Sequence, residues 1–185
     1  MNRWLPTLAA LLLAGVAHAA TPLPADSLYQ LDVPLTTQEG HAEPLSARRG
    51  TPQIVSMFYT TCTMVCPMII DTMAATRRAA GEPANLALLA VSFDPARDNV
   101  DALRRYAAAH KLDLRYWTLA RTEAKDTRAL AALLDVQYRP LPDGEFNHSS
   151  ALLLLDGEGR IVARTSIIGR TDPAFVAAVR KLAGT

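Results

Sequence analysis

Residues 54–67 read IVSMFYTTCTMVCP, in which an apolar run leads directly into Cys62 and Cys66, the two cysteines of the chain. The run Ile54 to Tyr59 is apolar and contains β-branched residues, which predicts a buried strand. Side chains four residues apart on a helical turn have Cβ atoms about 5–6 Å apart. That spacing allows the two thiols either to close a disulfide or to bind one soft metal ion.

The segments that follow the cysteines predict a β-α-β unit. Pro67 suits an early helical position, where its missing N–H costs little, and a helix is expected from Met68 to Ala80. The continuous apolar run Leu86 to Phe93 then predicts a second buried strand, parallel to the first. The cysteines therefore lie at the junction between the first strand and its helix. A thiolate at a helix N-terminus is stabilised by the unpaired N–H groups, so a reactive pair is expected there.

The rest of the chain predicts alternating helices and strands with a β-β-α ending. Before the first long strand, short strands are expected at residues 28–31 and in a hairpin near Gly40. After the β-α-β unit, the pattern predicts a helix capped by Asp98 and ending near His110, a strand at 115–119, a helix at 122–134, a loop at 138–147, strands at 150–155 and 160–165, and a final helix at 174–182 opened by Asp172 and Pro173. This order predicts an α/β protein with a thioredoxin-like fold: a central mixed sheet flanked by helices, with an α-β-α insertion.

The N-terminus predicts export. Arg3 is followed by an apolar run from Leu5 to Val16 and by Ala17-His18-Ala19, an A-x-A site, so residues 1–19 are expected to be a cleaved signal peptide. The run is shorter than the ~20 residues that span a bilayer, and no cysteine follows it that could carry a lipid. We therefore expect a soluble periplasmic protein in which residues 20–185 form a single domain. Disulfides persist in such a compartment.

The net charge of the chain excludes some classes of partner. The formal net charge of the whole chain is +1, which gives no basis for binding nucleic acid or an anionic membrane.

One of the histidines is a candidate ligand. His41 falls in a polar loop, and His110 at a helix end is expected to be structural. His148 precedes the apolar strand at 150–155, and in the predicted topology this segment lies opposite the first helix N-terminus. From there, its imidazole can reach both sulfurs.

Four segments together carry a resemblance to a known family. They are residues 56–67 with the CxxxC-P motif, residues 91–98 (VSFDPARD), residues 143–149 (DGEFNHS), and residues 154–156 with 159–161. In this order, over roughly residues 28 to 183, the chain resembles the Sco/SenC family of copper-binding, thioredoxin-like proteins linked to cytochrome c oxidase assembly. The chain departs from that family at Thr63, where proline is common. Members of the family also often carry a transmembrane anchor, whereas this chain is expected to be released by cleavage of its signal peptide.

The resemblance implies that Cys62, Cys66 and His148 bind copper, and that the partner is a copper-receiving subunit of a respiratory oxidase or another periplasmic copper or thiol protein. Two thiolates and an imidazole suit trigonal Cu(I), and Cu(II) would add an oxygen or nitrogen ligand. The function it implies is that of a metallochaperone for the dinuclear copper centre of the oxidase.

Several other side chains lie in or near the motif. Met64, between the cysteines, has a soft thioether, whereas Met57, Met68 and Met73 are expected to fill the core. Asp94 is expected to make a turn at the sheet edge that carries the cysteines. Phe58 and Tyr59 are expected in the core, where an aromatic ring can shield a copper site from water.

Three alternative functions remain open from the residues. A thiol–disulfide oxidoreductase would use Cys62 and Cys66 to reduce partner cysteines, and it would not need His148. A peroxidase would need an activating threonine and arginine; Thr60 and Thr61 are close, but no arginine is obviously placed. A structural disulfide is the remaining alternative, although closing so short a loop removes little chain entropy.

Overall fold

The computed structural model describes residues 22–184, so the predicted signal peptide lies outside the described residues. The strands in this part are β1 (Pro34–Thr37), β2 (Ala42–Pro44), β3 (Gln53–Phe58), β4 (Ala87–Ser92), β5 (Trp117–Arg121), β6 (Tyr138–Pro140), β7 (Phe146–His148), β8 (Leu152–Leu155) and β9 (Ile161–Thr165). The helices are α1 (Val65–Ala79), α2 (Val100–Ala109), α3 (Ala124–Leu133) and α4 (Pro173–Ala183). Among residues 22–184, no helix has the length and apolar character that crossing a bilayer requires.

A mixed sheet with the strand order β2-β1-β5-β4-β3-β8-β9 forms the centre of the molecule. β3 runs parallel to β4 and antiparallel to β8, and β8 pairs antiparallel with β9. The β3-α1-β4 unit and the β8-β9-α4 unit thus share one sheet, and α2-β5-α3 is inserted between them. The predicted thioredoxin-like fold with its α-β-α insertion is confirmed.

The central strands are buried because their sequences are apolar on both faces. Every residue of β3 and of β8 is buried, and β8 consists of four consecutive leucines. Such continuous apolar runs are typical of strands covered by helices on both sides. The loop that carries the cysteines therefore begins at the end of a fully buried strand, β3.

Two predictions about secondary structure were wrong for local reasons. The segment predicted as a strand at 28–31 forms a 3-10 helix, Leu28–Gln30, because the Ser27 hydroxyl accepts a hydrogen bond from the Tyr29 N–H (3.1 Å) and caps that turn. The segment predicted as a loop at 138–147 contains the antiparallel hairpin β6–β7. Its turn includes Gly144 at φ +86°, which an L side chain adopts only with strain.

Two other boundaries shifted, and one early expectation is confirmed. The strand predicted at 115–119 begins two residues later, at Trp117. The N-cap of α2 is Asn99, whose side chain accepts from the Ala102 N–H, and not Asp98. The hairpin predicted near Gly40 is present as β1–β2.

Candidate metal centre

The two cysteines lie in and just after the loop that joins β3 to α1. Cys62 precedes the helix, and Cys66 lies in its first turn, because α1 starts at Val65, earlier than predicted. The Cys66 N–H donates a hydrogen bond to the Cys62 sulfur at 3.4 Å. That sulfur thus accepts from one of the N–H groups that a helix leaves unpaired at its start. Both cysteines are free thiols, and their exposed fractions are 7% for Cys62 and 0% for Cys66.

The two thiols have opposite acid–base character. Burial raises the pKa of Cys62, but the backbone N–H groups of Cys66 and Met64 and the Cys66 thiol outweigh it, so the net pKa is lowered. Burial dominates at Cys66 and raises its pKa well above the ordinary value. The arrangement therefore makes Cys62 the thiol that ionises first and is more available for reaction.

His148 completes a cluster with the cysteines, as the predicted topology required. It is the last residue of β7, and one ligand atom each from Cys62, Cys66 and His148 lie within 4.8 Å of one another. The imidazole Nδ1 makes a 3.0 Å hydrogen bond with the Ser149 carbonyl oxygen. Because a carbonyl only accepts, Nδ1 carries the proton and the lone pair needed for metal binding remains on Nε2.

An aromatic cluster holds the β6–β7 hairpin over the cysteines. The His148 ring lies 4.9 Å from the Phe93 ring and 5.9 Å from the Tyr59 ring, measured between centroids. The Tyr59 hydroxyl donates a 2.6 Å hydrogen bond to Glu145 in the hairpin. Burial and this bond raise the pKa of Tyr59, so the hydroxyl stays protonated as a donor. Tyr59 and Phe58 are both buried, as predicted, and Tyr59 shields the site on this side.

Asp98 fixes the loop that carries the cysteines, a role that the sequence analysis missed. Its carboxylate is fully buried and accepts from the Thr60 N–H (3.0 Å), the Thr60 hydroxyl (2.5 Å) and the Ser92 hydroxyl (2.5 Å). Burial raises the pKa of Asp98 even though these hydrogen bonds favour its charged form. Asp98 thus joins Ser92, at the end of β4, to Thr60, which lies in the cysteine loop two residues before Cys62.

Other candidates lie outside the cluster. Asp94 forms the turn predicted for it, and its carboxylate pairs with Arg97. His41 is on the exposed β1–β2 turn, and His110 ends α2 and stacks on Tyr106, with ring centroids 4.2 Å apart. Met57 and Met73 are buried as predicted, but the prediction for Met68 was wrong, because 45% of its surface is exposed. Met64 is 79% exposed.

A cleft of about 480 Å³ opens on the other side of Cys62, between the start of α1 and the helix α2. Arg105 of α2 lines it together with Tyr106 and His110, so an arginine does lie in the cleft beside Cys62. Thr60 also lines this cleft, but its hydroxyl donates to Asp98 and is not directed to the sulfur. That hydrogen bond disfavours Thr60 as the activating threonine of a peroxidase.

The cluster has the dimensions of a three-ligand metal site. Three ligands bound in one plane at about 2.3 Å, the length of a zinc–thiolate bond, lie about 4 Å apart. Ligand atoms within 4.8 Å of one another therefore need only a small closure to bind one ion. Two thiolates and one imidazole are soft and borderline ligands, which suit Cu(I).

The fold and the cluster together define a thioredoxin-like protein with two thiols and an imidazole placed to hold one metal ion. The SCO1/SenC family model matches residues 25–184, which is most of the chain. The chain therefore belongs to the SCO1/SenC family, and the resemblance carried by its motifs is confirmed. A comparison with curated protein sequences finds no match.

Solved structures of family members share the fold. ScoI of Bradyrhizobium japonicum, determined with copper bound, is 23% identical over 80% of this chain and 95% of that chain, with a TM-score of 0.66. A SCO1/SenC family lipoprotein from Bacillus anthracis str. Ames is 21% identical over 81% of this chain and 92% of that chain (TM-score 0.73). BsSco, described as a Sco family cytochrome c oxidase assembly protein with a disulfide switch, is 18% identical over 82% of this chain and 91% of that chain (TM-score 0.67).

The thiol environments predict selective alkylation. We expect iodoacetamide to modify Cys62 first, with a pH midpoint below the ordinary thiol value of 9.0, because its pKa is lowered and the thiolate is the nucleophile. Cys66 should react far more slowly in the folded protein, since it is buried. Mass spectrometry of the wild type, Cys62→Ser and Cys66→Ser across pH 6–10 measures both. Equal rates at the two thiols, or a midpoint above 9.0 for Cys62, would contradict this assignment.

Removing the Asp98 carboxylate should destabilise the protein. Asp98→Ala leaves the Thr60 N–H and two hydroxyls without an acceptor, and we expect a loss of about 2–4 kcal/mol in the free energy of unfolding. Asp98→Asn, which retains one acceptor oxygen, should lose less. Urea denaturation provides the measurement. The matched control is Asp101→Ala on the exposed face of α2, expected within about 0.5 kcal/mol of the wild type. An Asp98→Ala variant as stable as this control would disprove the anchoring role.

Proposed function

We propose that this protein is a periplasmic copper-binding metallochaperone in which Cys62, Cys66 and His148 hold the metal. The observation that carries the proposal is the convergence of these three ligand atoms within 4.8 Å, from two parts of the chain more than 80 residues apart. The two thiolates select a soft ion, and the imidazole provides the third ligand to Cu(I).

Membership of the SCO1/SenC family supports copper as the cargo. The Bradyrhizobium japonicum relative was solved with copper bound. Within the described residues, the cluster has three candidate ligands and no fourth one from a histidine, cysteine or carboxylate. Structural zinc sites, in contrast, have four protein ligands. A three-coordinate site can release Cu(I) readily, because an incoming ligand from a partner can add before a resident ligand leaves.

The destination proposed for the copper is the dinuclear copper centre of a respiratory cytochrome oxidase. BsSco is described as a member of the Sco family of cytochrome c oxidase assembly proteins, which supports this class of partner. The predicted signal peptide at residues 1–19 supports export to the periplasm. In this proposal, the receiving subunit approaches the exposed side of the cluster and takes the ion by ligand exchange, without a change in its oxidation state.

A thiol–disulfide oxidoreductase is the second candidate, favoured by the lowered pKa of Cys62 beside a second thiol. The Cys62 thiolate would attack a partner disulfide to form a mixed disulfide and release one partner thiolate. Cys66, after losing its proton, would then attack Cys62, release the second partner thiolate and leave a Cys62–Cys66 disulfide. A two-electron thiol reductant would be needed to restore the dithiol.

A competition titration with Cu(I) tests the proposal. The reduced protein is titrated under anaerobic conditions against a Cu(I) chelator, as the wild type, Cys62→Ala, Cys66→Ala and His148→Ala. Loss of a residue that only supports a metal ligand weakens metal binding by up to about 100-fold. Loss of a ligand itself should therefore weaken Cu(I) binding by at least about 100-fold. His41→Ala is the matched control, because His41 is exposed on a distant turn, and its affinity should equal that of the wild type.

The same series separates the two candidates. A wild-type affinity no higher than that of Cys66→Ala would overturn the copper function. If His148→Ala alone binds Cu(I) as tightly as the wild type, the imidazole is not a ligand and the redox candidate gains support. A redox function also predicts that His148→Ala retains full disulfide-reducing activity, which the copper function does not require.

A further inference from the structure

We propose that Met64 and Met68 form a surface site that captures Cu(I) and passes it to the cysteine–histidine cluster. This inference rests on the proposed copper function and adds to it a point of entry for the metal. The two methionines are among the large apolar side chains that the described part of the chain leaves exposed, at 79% and 45% of their surface. Both lie within two residues of a cysteine of the cluster.

The burial of the thiols creates the need for such a site. Cys62 and Cys66 expose 7% and 0% of their surface, and the aromatic hairpin covers the cluster on the side of His148. An ion that arrives from solvent or from a donor therefore meets the sulfurs only over a small area. The exposed thioethers nearby offer a first contact over a larger area than Cys62 presents in its cleft.

The spacing of four residues places Met64 and Met68 on the same side of α1. Met64 is the N-cap residue of α1 with a helical backbone, and Met68 lies four residues further on. Residues with this spacing have Cβ atoms about 5–6 Å apart, and the long, flexible methionine side chains can converge from there on one ion. Met64 lies two residues after Cys62 in the same loop, which keeps it near the cluster along the chain.

The loop after β9 leaves room for the Met68 side chain. At Gly169, a Cβ would lie 2.9 Å from the Met68 methyl carbon, and Gly169 has a φ of +87°. The glycine thus lets Met68 lie along the surface close to the first turn of α1. A larger residue in this loop would push the thioether away.

The surroundings favour a soft monovalent ion. Residues 60–70 contain no charged side chain other than the ionisable cysteines. The exposed Asp71 follows three residues after Met68, and a single carboxylate is too few ligands for a hard cation, which takes several oxygen ligands. Thioethers bind Cu(I) and its analogue Ag(I) in preference to zinc, magnesium or calcium. During transfer, copper–thioether bonds break as copper–thiolate bonds form, the thiol protons leave to solvent, and copper remains Cu(I).

The first test detects binding at the methionines alone. The Cys62→Ser, Cys66→Ser, His148→Ala triple variant, labelled at its methionine methyl groups, is titrated with Ag(I) and followed by NMR, with its fold verified from the same spectra. The Met64 and Met68 methyl signals should shift together, and those of buried Met57 and Met73 should remain in place. Unchanged Met64 and Met68 signals would overturn the proposal. This result is independent of whether the cluster itself carries copper.

The second test measures the rate of loading with a small Cu(I)–chelator complex as the donor, which excludes an effect of protein docking. A Met64→Leu, Met68→Leu variant should load at least about tenfold more slowly than the wild type, with unchanged equilibrium affinity. The matched control is Met73→Leu, a volume-conserving change inside α1, which should load at the wild-type rate. An unchanged rate would overturn the capture role, and a loss of equilibrium affinity would make the methionines resident ligands instead. If the wild type binds no Cu(I), the proposed function fails, and the Ag(I) titration alone decides this inference.

Discussion

The buried carboxylate of Asp98 is the constraint on which the metal centre depends. It accepts hydrogen bonds from the Thr60 N–H, the Thr60 hydroxyl and the Ser92 hydroxyl, and so joins the ends of the neighbouring parallel strands β3 and β4. Buried polar groups of this kind are costly unless all are paired, and here they are. The loop that leaves β3 therefore has a fixed start. From that start it places the Cys62 sulfur against the first N–H groups of α1.

The third candidate ligand, His148, reaches the cysteines through packing and not through the central sheet. His148 is on the separate β6–β7 hairpin, which is held by aromatic contacts to Phe93 and Tyr59 and by the hydrogen bond from Tyr59 to Glu145. Tyr59 is thus attached to the cysteine loop along the chain and to the hairpin through its hydroxyl. Two independent structural devices, one polar and one aromatic, therefore determine the distance between the thiols and the imidazole.

The sequence predicted most of the fold because its strands are long apolar runs with clear helix signals between them. It also predicted the place of the cysteines, and the family motifs pointed to His148. The sequence predicts a helix cap at Asp98, because an aspartate just before α2 fits that role equally well. Only the folded structure shows the hydrogen bonds of Asp98 to Thr60 and Ser92. The hairpin was missed although Asp143-Gly144 is a known hairpin signal, because its strands are short and polar. Residue type predicts a core position for Met68, but it does not reveal that Met68 lies on the outward face of α1.

The central claim is that two sulfurs and one imidazole, from Cys62, Cys66 and His148, bind a single copper ion. X-ray absorption spectroscopy of the Cu(I)-loaded protein tests it most directly, because imidazole gives a multiple-scattering pattern that sulfur lacks. We predict one imidazole and two sulfur ligands in the wild type, with loss of the imidazole pattern in His148→Ala and its retention in His110→Ala. A wild-type spectrum with sulfur ligands alone, or an imidazole pattern that survives in His148→Ala, would contradict the account.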